Sequence, residues 1–492
     1  MCGIACAIRS SDPAEVARMS EKIAHRGPDG VGLLADADNA LAHRRLAILD
    51  PKGGVQPWAT PSGGVLIYNG EIYNHLGLRS QMPDRTFQTR CDTETLAAAL
   101  ENWGADAVEK LDGMFAFVYV DGERYIAARD PVGIKPLFRA DRNGATIFAS
   151  EFKAFDDQCT NIEDVPAGTV IDSETGAKQF YFVPKPEPRA MSMETAADAV
   201  RSILYRAVSK RMLSDVPVGV FLSGGLDSAI IAAIAVRLNP DTMAFSVGFH
   251  DSQDAGAAQE VAAALGMRHC HVSLSAGKLV EMLPKVIYHL ESFDAPLVRS
   301  ALANYAVSEM ARDHIKVALT GEGADELFAG YDYLREFSGV GLDEKLRSLV
   351  LELQNTNLQR TDRMTMAHGI EGRVPFLDKE MIALAFQLPV ELKLSPAGVS
   401  KAVLRMAFRD MLPNWAVNRP KQEFGRGTGV AEVMAKHAAI AITDDEFEAN
   451  RFVSSGLPLR DKEELIYYRV WRSFFRPELT ALVGRSRKEE IE

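Results

Sequence analysis

The sequence predicts two α/β domains in tandem. The first is an α+β domain of antiparallel sheet with added helices. The second is built on a parallel sheet and carries a helical C-terminal extension. Three observations predict this. The first ~180 residues hold short apolar runs punctuated by turn dipeptides. The run Pro184-Lys185-Pro186-Glu187-Pro188 can continue neither a helix nor a central strand, so it reads as a linker. Beyond it strands and helices alternate, the pattern of a parallel sheet covered by helices. The boundaries that follow are 1–183, a linker at 184–192, and 193–492.

In chain order, Val65–Tyr68, Phe115–Val120, Tyr125–Ala128 and Thr146–Ala149 read as strands, bounded by Gly63-Gly64, Asp121-Gly122 and Asn143-Gly144. Thr93–Trp103 reads as a helix, with Asp92 placed to cap it. After the linker come a helix at Thr195–Met212, a buried strand at Val218–Leu222 and an apolar helix at Ser228–Leu238. They are followed by strand Met243–Phe249, helix Ala255–Leu265, strand His269–Leu274, helix Lys278–Leu290 and strand Ile315–Thr320. From Asp343 onward the pattern is mostly helical.

Composition narrows the function. A chain of 492 residues has room for two or three domains of roughly 100–200 residues. Hydrophobic residues at 47% and charged residues at 25% exclude wholesale disorder. A net charge of -12 argues against nonspecific binding to nucleic acid or anionic membrane. Cys2, Cys6, Cys91, Cys159 and Cys270 are few, scattered and odd in number, so they form no disulfide framework, and a reducing cytoplasm is the simplest compartment. No apolar run approaches the ~20 residues that span a bilayer.

Cys2 sits where removal of Met1 leaves a thiol and a free α-amine on one residue. An α-amine has an ordinary pKa of ~7.7–8.0, so its neutral form can act as the base beside a nucleophile. In Asn69-Gly70-Glu71-Ile72-Tyr73-Asn74, which follows a strand, the Asn amide and the Gly N–H can both donate to a developing oxyanion. Arg45, in His43-Arg44-Arg45-Leu46, can hold a carboxylate. Asp92 either accepts from a substrate ammonium or caps its helix, and His25-Arg26-Gly27-Pro28-Asp29-Gly30 reads as a turn.

A second centre follows the strand at Val218. Ser223-Gly224-Gly225-Leu226-Asp227-Ser228 leads into an apolar helix, the arrangement that aims backbone N–H groups at phosphate. It lacks the lysine of a Walker A loop. Asp227 offers a hard oxygen to Mg²⁺. Thr320-Gly321-Glu322-Gly323-Ala324-Asp325-Glu326 puts three carboxylates at the C-terminal edge of the sheet, where open α/β sheets bind ligands.

Met1-Cys2-Gly3-Ile4, His25–Gly30, Arg45-Leu46, Asn69–Asn74 and Asp92 together resemble the glutaminase domain of class II glutamine amidotransferases. The loop Ser223–Ser228 resembles the signature of ATP pyrophosphatases, which cleave ATP to AMP and pyrophosphate. The two in one chain resemble the family of glutamine-dependent asparagine synthetases, and the likeness runs from Met1 to about Gly429. It includes Arg360–Arg363, Glu371–Asp378, Lys401 and Arg419–Lys421.

The resemblance implies an N-terminal-nucleophile α/β/β/α sandwich followed by an ATP-pyrophosphatase-like domain. It implies that Cys2 releases ammonia from glutamine, with Asn69 and Gly70 as the oxyanion hole. Arg45, Ile48, Glu71 and Asp92 then complete the glutamine site. It further implies that ATP lies on Phe221, Ser223, Gly224, Gly225, Asp227, Ser228, Val247, Thr320 and Gly321, with Mg²⁺ on Asp227 and Asp325. Lys401 neutralises phosphate charge, Glu322 is the base in the amidation, and Arg299 takes the acceptor carboxylate. The implied substrates are glutamine, aspartate and ATP, the implied assembly a homodimer, and ammonia is implied to travel through protein. The competing reading keeps this chemistry and changes the acceptor to another carboxylate, in a sugar, peptide or natural-product precursor. His269-Cys270-His271, with its two histidines on one strand face, reads as structural. The charged tail at 485–490 reads as a solvated terminus.

Overall fold

The computed structural model describes residues 2–486 apart from Ser11, Asp251, Gln422, Glu423 and Ser455. The processing expected at Met1 and most of the charged tail therefore lie outside the described residues. The chain divides into two compact units. One is Met1–Phe182 with Leu213–Val216 and Met366–Glu371, and the other is Val183–Met212, Pro217–Thr365 and Gly372–Glu492.

The first unit holds β1 (Cys2–Ile8), α1 (Pro13–Lys22), β2 (Gly30–Ala35), β3 (Asn39–Arg45), β4 (Trp58–Ala59), β5 (Val65–Ile72), α2 (Asp92–Trp103), β6 (Gly113–Asp121), β7 (Arg124–Arg129), β8 (Phe138–Arg142), β9 (Ala145–Ala149), β10 (Thr160–Asp164), β11 (Thr169–Asp172) and β12 (Gly176–Gln179). They form two six-stranded sheets, ordered β10-β8-β9-β1-β3-β2 and β12-β11-β7-β6-β5-β4, antiparallel at the paired strands. Ile4, Cys6, Ile8, Leu41 and Phe148 of one sheet interleave with Ile67, Ala116, Val118 and Ala127 of the other. The far face of the second sheet, through Leu66, Phe115 and Phe117, is covered by Leu96, Ala97 and Leu100 of α2. α1 packs on β1 and β3 of the first sheet. The result is the expected α/β/β/α sandwich.

β1 gave no strand signal in the sequence because it is buried on both faces. With sheet on one side and helix on the other, the alternation that marks a half-exposed strand is absent. Two further expectations are corrected. Asn69 and Gly70 lie within β5 rather than after it. Asp92 does not cap α2: Cys91 holds the N-cap position, and Asp92 is the first helical residue with its carboxylate turned toward β5.

The second unit holds α3 (Met193–Arg211), β13 (Val218–Phe221), α4 (Leu226–Leu238), β14 (Met243–Gly248), α5 (Gln253–Ala264), β15 (His269–Ser273), α6 (Ala276–Leu290), α7 (Ala295–Ala311), β16 (Val317–Leu319), β17 (Glu371–Arg373) and α8 (Lys462–Arg472). Its sheet runs β15-β14-β13-β16-β17, parallel from β15 through β16. α4 packs on β13, and α5 and α7 on β14. The residues beyond β16 are mostly helical, as expected.

α7 escaped the sequence reading for two reasons. Its residues are buried on nearly all sides, which erases amphipathic periodicity. Pro296 looks like a breaker, yet proline is tolerated in a first turn, and Asp294 caps the helix through the N–H of Leu297. The proline run is extended and tied to its own unit, with Glu187 and Arg189 donating N–H groups to the carbonyls of Phe386 and Gln387. At the tail, Arg485 and Ser486 are not solvated. Arg485 pairs with Glu464, and Ser486 donates to Asp294. No helix is long and apolar enough to cross a membrane among the described residues.

Candidate active site

Cys2 opens β1 opposite Arg45 of β3 and is only 7% exposed. Its N–H donates to Oδ1 of Asn69 at 2.9 Å. Its carbonyl accepts from Nε of Arg26 at 3.0 Å, and Arg26 in turn pairs with buried Glu151 at 2.6 Å. The turn at His25–Gly30 therefore anchors the backbone of Cys2. Gly27 is required there, because a Cβ would sit 2.1 Å from the Arg44 carbonyl carbon. Burial pushes the Cys2 thiol up, against the opposing N–H of Leu46 and charge of Arg45. The resting group is a thiol that needs a base.

Asn69 is fully buried, and its Nδ2 has no partner among the described residues. An orphaned buried donor costs about 1–3 kcal/mol. It sits on the same amide that holds the Cys2 nitrogen, so it can donate to a ligand atom bound beside Cys2. Gly70 follows in register with Phe115, and a Cβ there would lie 2.1 Å from the Met114 carbonyl oxygen. Arg45 donates to the carbonyls of Pro51 at 2.7 Å and Asp50 at 3.0 Å, and no side-chain carboxylate pairs with it among the described residues. Its charge is thus oriented but left for a ligand. Ile48 and Glu71 are buried in the same unit. Asp92 accepts from Tyr68 Oη and from the N–H of Ile72, both at 2.9 Å.

In the second unit the loop 222–225 joins β13 to α4. Ser223 and Ser228 hydroxyls lie 3.0 Å apart, and the Ser223 N–H donates to Oγ of Ser228 at 3.1 Å. Gly224 has φ +75°, and a Cβ there would meet the Ala258 nitrogen at 2.7 Å. A Cβ on Gly321 would meet that of Asp227 at 2.9 Å. Phe221 ends β13, Val247 lies one residue before the end of β14 and Thr320 follows β16, and all three line one cavity together with Ser223, Gly225, Asp227 and Gly321. Buried Thr320 Oγ1 has no partner among the described residues.

Four charges stand beside this loop, Asp227 and Lys401 buried and Asp325 and Lys421 partly exposed. Lys401 Nζ lies 2.6 Å from both Asp227 Oδ2 and Asp325 Oδ1, and Lys421 Nζ lies 2.5 Å from Asp325 Oδ2. Burial pushes Asp325 up, but the two lysines outweigh it and hold the carboxyl well below the usual carboxylate range. Burial pushes Asp227 up despite Lys401, and the charge of Asp325 adds to it. The cluster forces its own backbone. Lys401 has φ +55°, unusual for a lysine, and a Cβ on Gly330 would sit 1.9 Å from Asp325 Oδ1.

Asp227 Oδ1 is buried without a partner among the described residues. No set of three or more His, Cys, Asp or Glu gathers as a metal site among them. Mg²⁺ needs only one or two protein carboxylates when phosphates supply other ligands, so Asp227 and Asp325 fit it.

Glu322, Arg299 and Glu326 line the same cavity, each with a protein partner. Glu322 Oε1 pairs with Arg360. Arg299 gives Nε and Nη2 to the two oxygens of Glu463, at 2.8 and 2.6 Å. Glu326 accepts from Tyr331 Oη at 2.6 Å and from Asn357 at 3.1 Å. Lys421, Arg360, Glu463 and Glu326 were given no role from the sequence. Each acts through a partner distant in the chain, or, for Glu326, through an enclosed cluster, and no local spacing announces either. His269 and His271 share one strand face, as expected, and both contact Ser246 Oγ at 2.8 Å.

Residues 1–190 match a family model for the glutamine amidotransferase domain, and 199–346 with 338–480 match that for asparagine synthase. The chain is 34% identical, over 98% of its length, to glutamine-hydrolysing asparagine synthetase 1 of Arabidopsis thaliana, of which it covers 88%. It is equally similar to asparagine synthetase 2 of Lotus japonicus and to the nodule enzyme of Pisum sativum, covering 98% of this chain and 87% of each relative.

Proposed function

Because this chain belongs to the family of glutamine-hydrolysing asparagine synthetases, we propose that it makes asparagine from aspartate, ATP and glutamine. Residues 1–183 form the glutaminase domain, 184–192 the linker and 193–492 the synthetase domain. The observation that carries the reading is the unpartnered amide of Asn69 beside Cys2, in one chain with the Asp227–Lys401–Asp325–Lys421 cluster beside a phosphate loop.

At the first site the α-amine of Cys2, freed by loss of Met1 and held by Asn69 Oδ1, takes the thiol proton. The sulfur attacks the side-chain amide carbon of glutamine. Asn69 Nδ2 and the Gly70 N–H meet the oxyanion, which is where hydrogen bonds accelerate acyl transfer. Arg45 holds the α-carboxylate of glutamine, Glu71 and Asp92 its ammonium, and Ile48 packs beside them. The amide C–N bond breaks with release of ammonia, and water hydrolyses the thioester to glutamate.

At the second site a β-carboxylate oxygen of aspartate attacks the α-phosphorus of ATP, and pyrophosphate leaves. Loop N–H groups and the hydroxyls of Ser223 and Ser228 hold the phosphates, while Phe221, Val247, Thr320 and Gly321 face the adenosine. Lys401 and Lys421 offset the charge that builds on the leaving pyrophosphate. When bound by Asp227 and Asp325, Mg²⁺ supplies further charge neutralisation. Ammonia then attacks the acyl carbon, Glu322 accepts the surplus proton, and AMP leaves. Arg299 receives the acceptor's α-carboxylate.

The test is product analysis with aspartate, ATP, Mg²⁺ and glutamine: asparagine, AMP and pyrophosphate are expected in equal amounts. ADP and phosphate as main products would sink the reading. In a second assay, unlabelled glutamine competes with labelled ammonium. Label in asparagine below the bulk ratio is expected, and label matching the bulk pool would mean the ammonia escapes before use.

A further inference from the structure

Residues after 430 carry no recognisable motif, yet one of them fixes a charged group at the edge of the nucleotide-bearing cavity. α7 brings Arg299 to that cavity's wall. Glu463, the second residue of α8, is 3% exposed and takes both Nε and Nη2 of Arg299. Tyr467, one turn further along α8 and fully buried, donates its hydroxyl to Glu463 Oε1 at 2.6 Å. The carboxylate is therefore itself locked. Nη1 of Arg299 has no protein partner among the described residues.

The two helices are joined again at their N-terminal ends. Asp294, which caps α7, accepts from Arg460 Nη1 at 2.9 Å and from Ser486 Oγ at 2.6 Å. Asp461 caps α8 through the N–H of Glu464 at 2.8 Å. With α7 and α8 already held at Asp294, a second, desolvated ion pair is a costly strut. It is a sensible device for aiming a guanidinium. An arginine loses much rotamer freedom when it binds, and Glu463 removes that freedom beforehand. Glu463 also offsets the positive charge, so the remaining donors hold a carboxylate by direction rather than by net charge. This disfavours retention of a free polyphosphate.

We propose that Glu463, braced by Tyr467, is a positioning residue that fixes Arg299 so that its free Nη donors receive the α-carboxylate of the acceptor amino acid. The proposal rests on the reading of the chain as an asparagine synthetase.

Aspartate-dependent ATP–pyrophosphate exchange by the full chain tests it, with glutaminase activity and Tm measured on the same preparations. Glu463→Ala should raise KM for aspartate about tenfold, and Tyr467→Phe about two- to threefold. KM for ATP and kcat should stay within about twofold in both. Unchanged KM for aspartate would overturn the proposal. So would parallel losses in KM for ATP, kcat and Tm, the signature of a strut alone. Where Glu463→Ala fails to fold, Tyr467→Phe decides by the same criteria. Absence of exchange in the unaltered chain would instead overturn the asparagine synthetase reading.

Discussion

Around Cys2 the backbone is held by the Asn69 amide and by an Arg26 guanidinium whose charge Glu151 already balances, whereas around Asp227 four formal charges gather in ion pairs of 2.5–2.6 Å. The difference follows from the chemistry each centre must perform. On the proposed reading, charge at Cys2 develops only on the way to a tetrahedral adduct, so a prepared amide such as Asn69 Nδ2 suffices. On the same reading the ligand at Asp227 is a polyanion with its counter-charge. The protein must hold matched acids and bases in readiness, and until ligands arrive they neutralise one another.

The sharpest way to break this comparison is to remove the nucleophile. Cys2→Ala should cut glutamine-dependent synthesis by at least about 10³-fold while sparing synthesis from added ammonium. Equal loss of both activities would mean the centres are not separate. Asp227→Asn is the mirror experiment. It should lower ATP cleavage about 10²–10³-fold with either nitrogen source and leave glutaminase activity measurable. The asparagine keeps the shape but leaves Lys401 with one acidic partner, Asp325. Retained cleavage would show that these charges serve the fold alone.

The residues proposed for each centre could be picked out beforehand because they sit in short contiguous strings. Cys2 opens a strand, Asn69-Gly70 lies inside one, and Ser223–Ser228 runs from a loop into a helix, each a short stretch where backbone geometry and side-chain type act together. What could not be read is what holds them. Arg26 reaches the Cys2 carbonyl, and Lys421 reaches Asp325, only once the chain has folded. Asp92 was open to two readings, and only the fold shows that its carboxylate faces Tyr68 rather than its own helix. β1 and α7 were missed through their total burial, and with α7 went the surroundings of Arg299.

A smaller effect sharpens the Cys2 side of the comparison. Asn69→Ala removes both the proposed oxyanion donor and the acceptor for the Cys2 nitrogen. The expected loss is about 10²-fold in glutaminase kcat, with KM for glutamine changed much less, because Arg45 is untouched. A rise in KM at constant kcat would assign Asn69 to ground-state binding instead.

The smallest effect concerns a buried charge cluster outside the reaction centres, which separates electrostatics used for stability from electrostatics used for catalysis. Asp378 caps the helix Lys379–Ala385 and pairs with Arg211 at 2.8 Å and Lys210 at 2.5 Å. Burial pushes its carboxyl up, but the two cations outweigh burial and hold it at about 2. A depressed carboxyl stabilises the fold where it is ionised in both states. That stabilisation is complete above the unfolded value of ~3.9 and is lost as pH falls toward 2. The difference amounts to about 2.5 kcal/mol at neutral pH. Asp378→Asn should therefore be less stable by about 2–4 kcal/mol near pH 7, since it also weakens the pairing of buried Arg211 and partly exposed Lys210. The gap between variant and unaltered chain should narrow by about 2 kcal/mol between pH 4 and pH 2. Urea titrations at several pH values, followed by circular dichroism, measure this. A gap independent of pH would mean that Asp378 acts through its hydrogen bonds as a cap, with its charge contributing nothing. Exchange and glutaminase rates at neutral pH should match the unaltered chain throughout, in contrast to Asp227→Asn, where activity falls first.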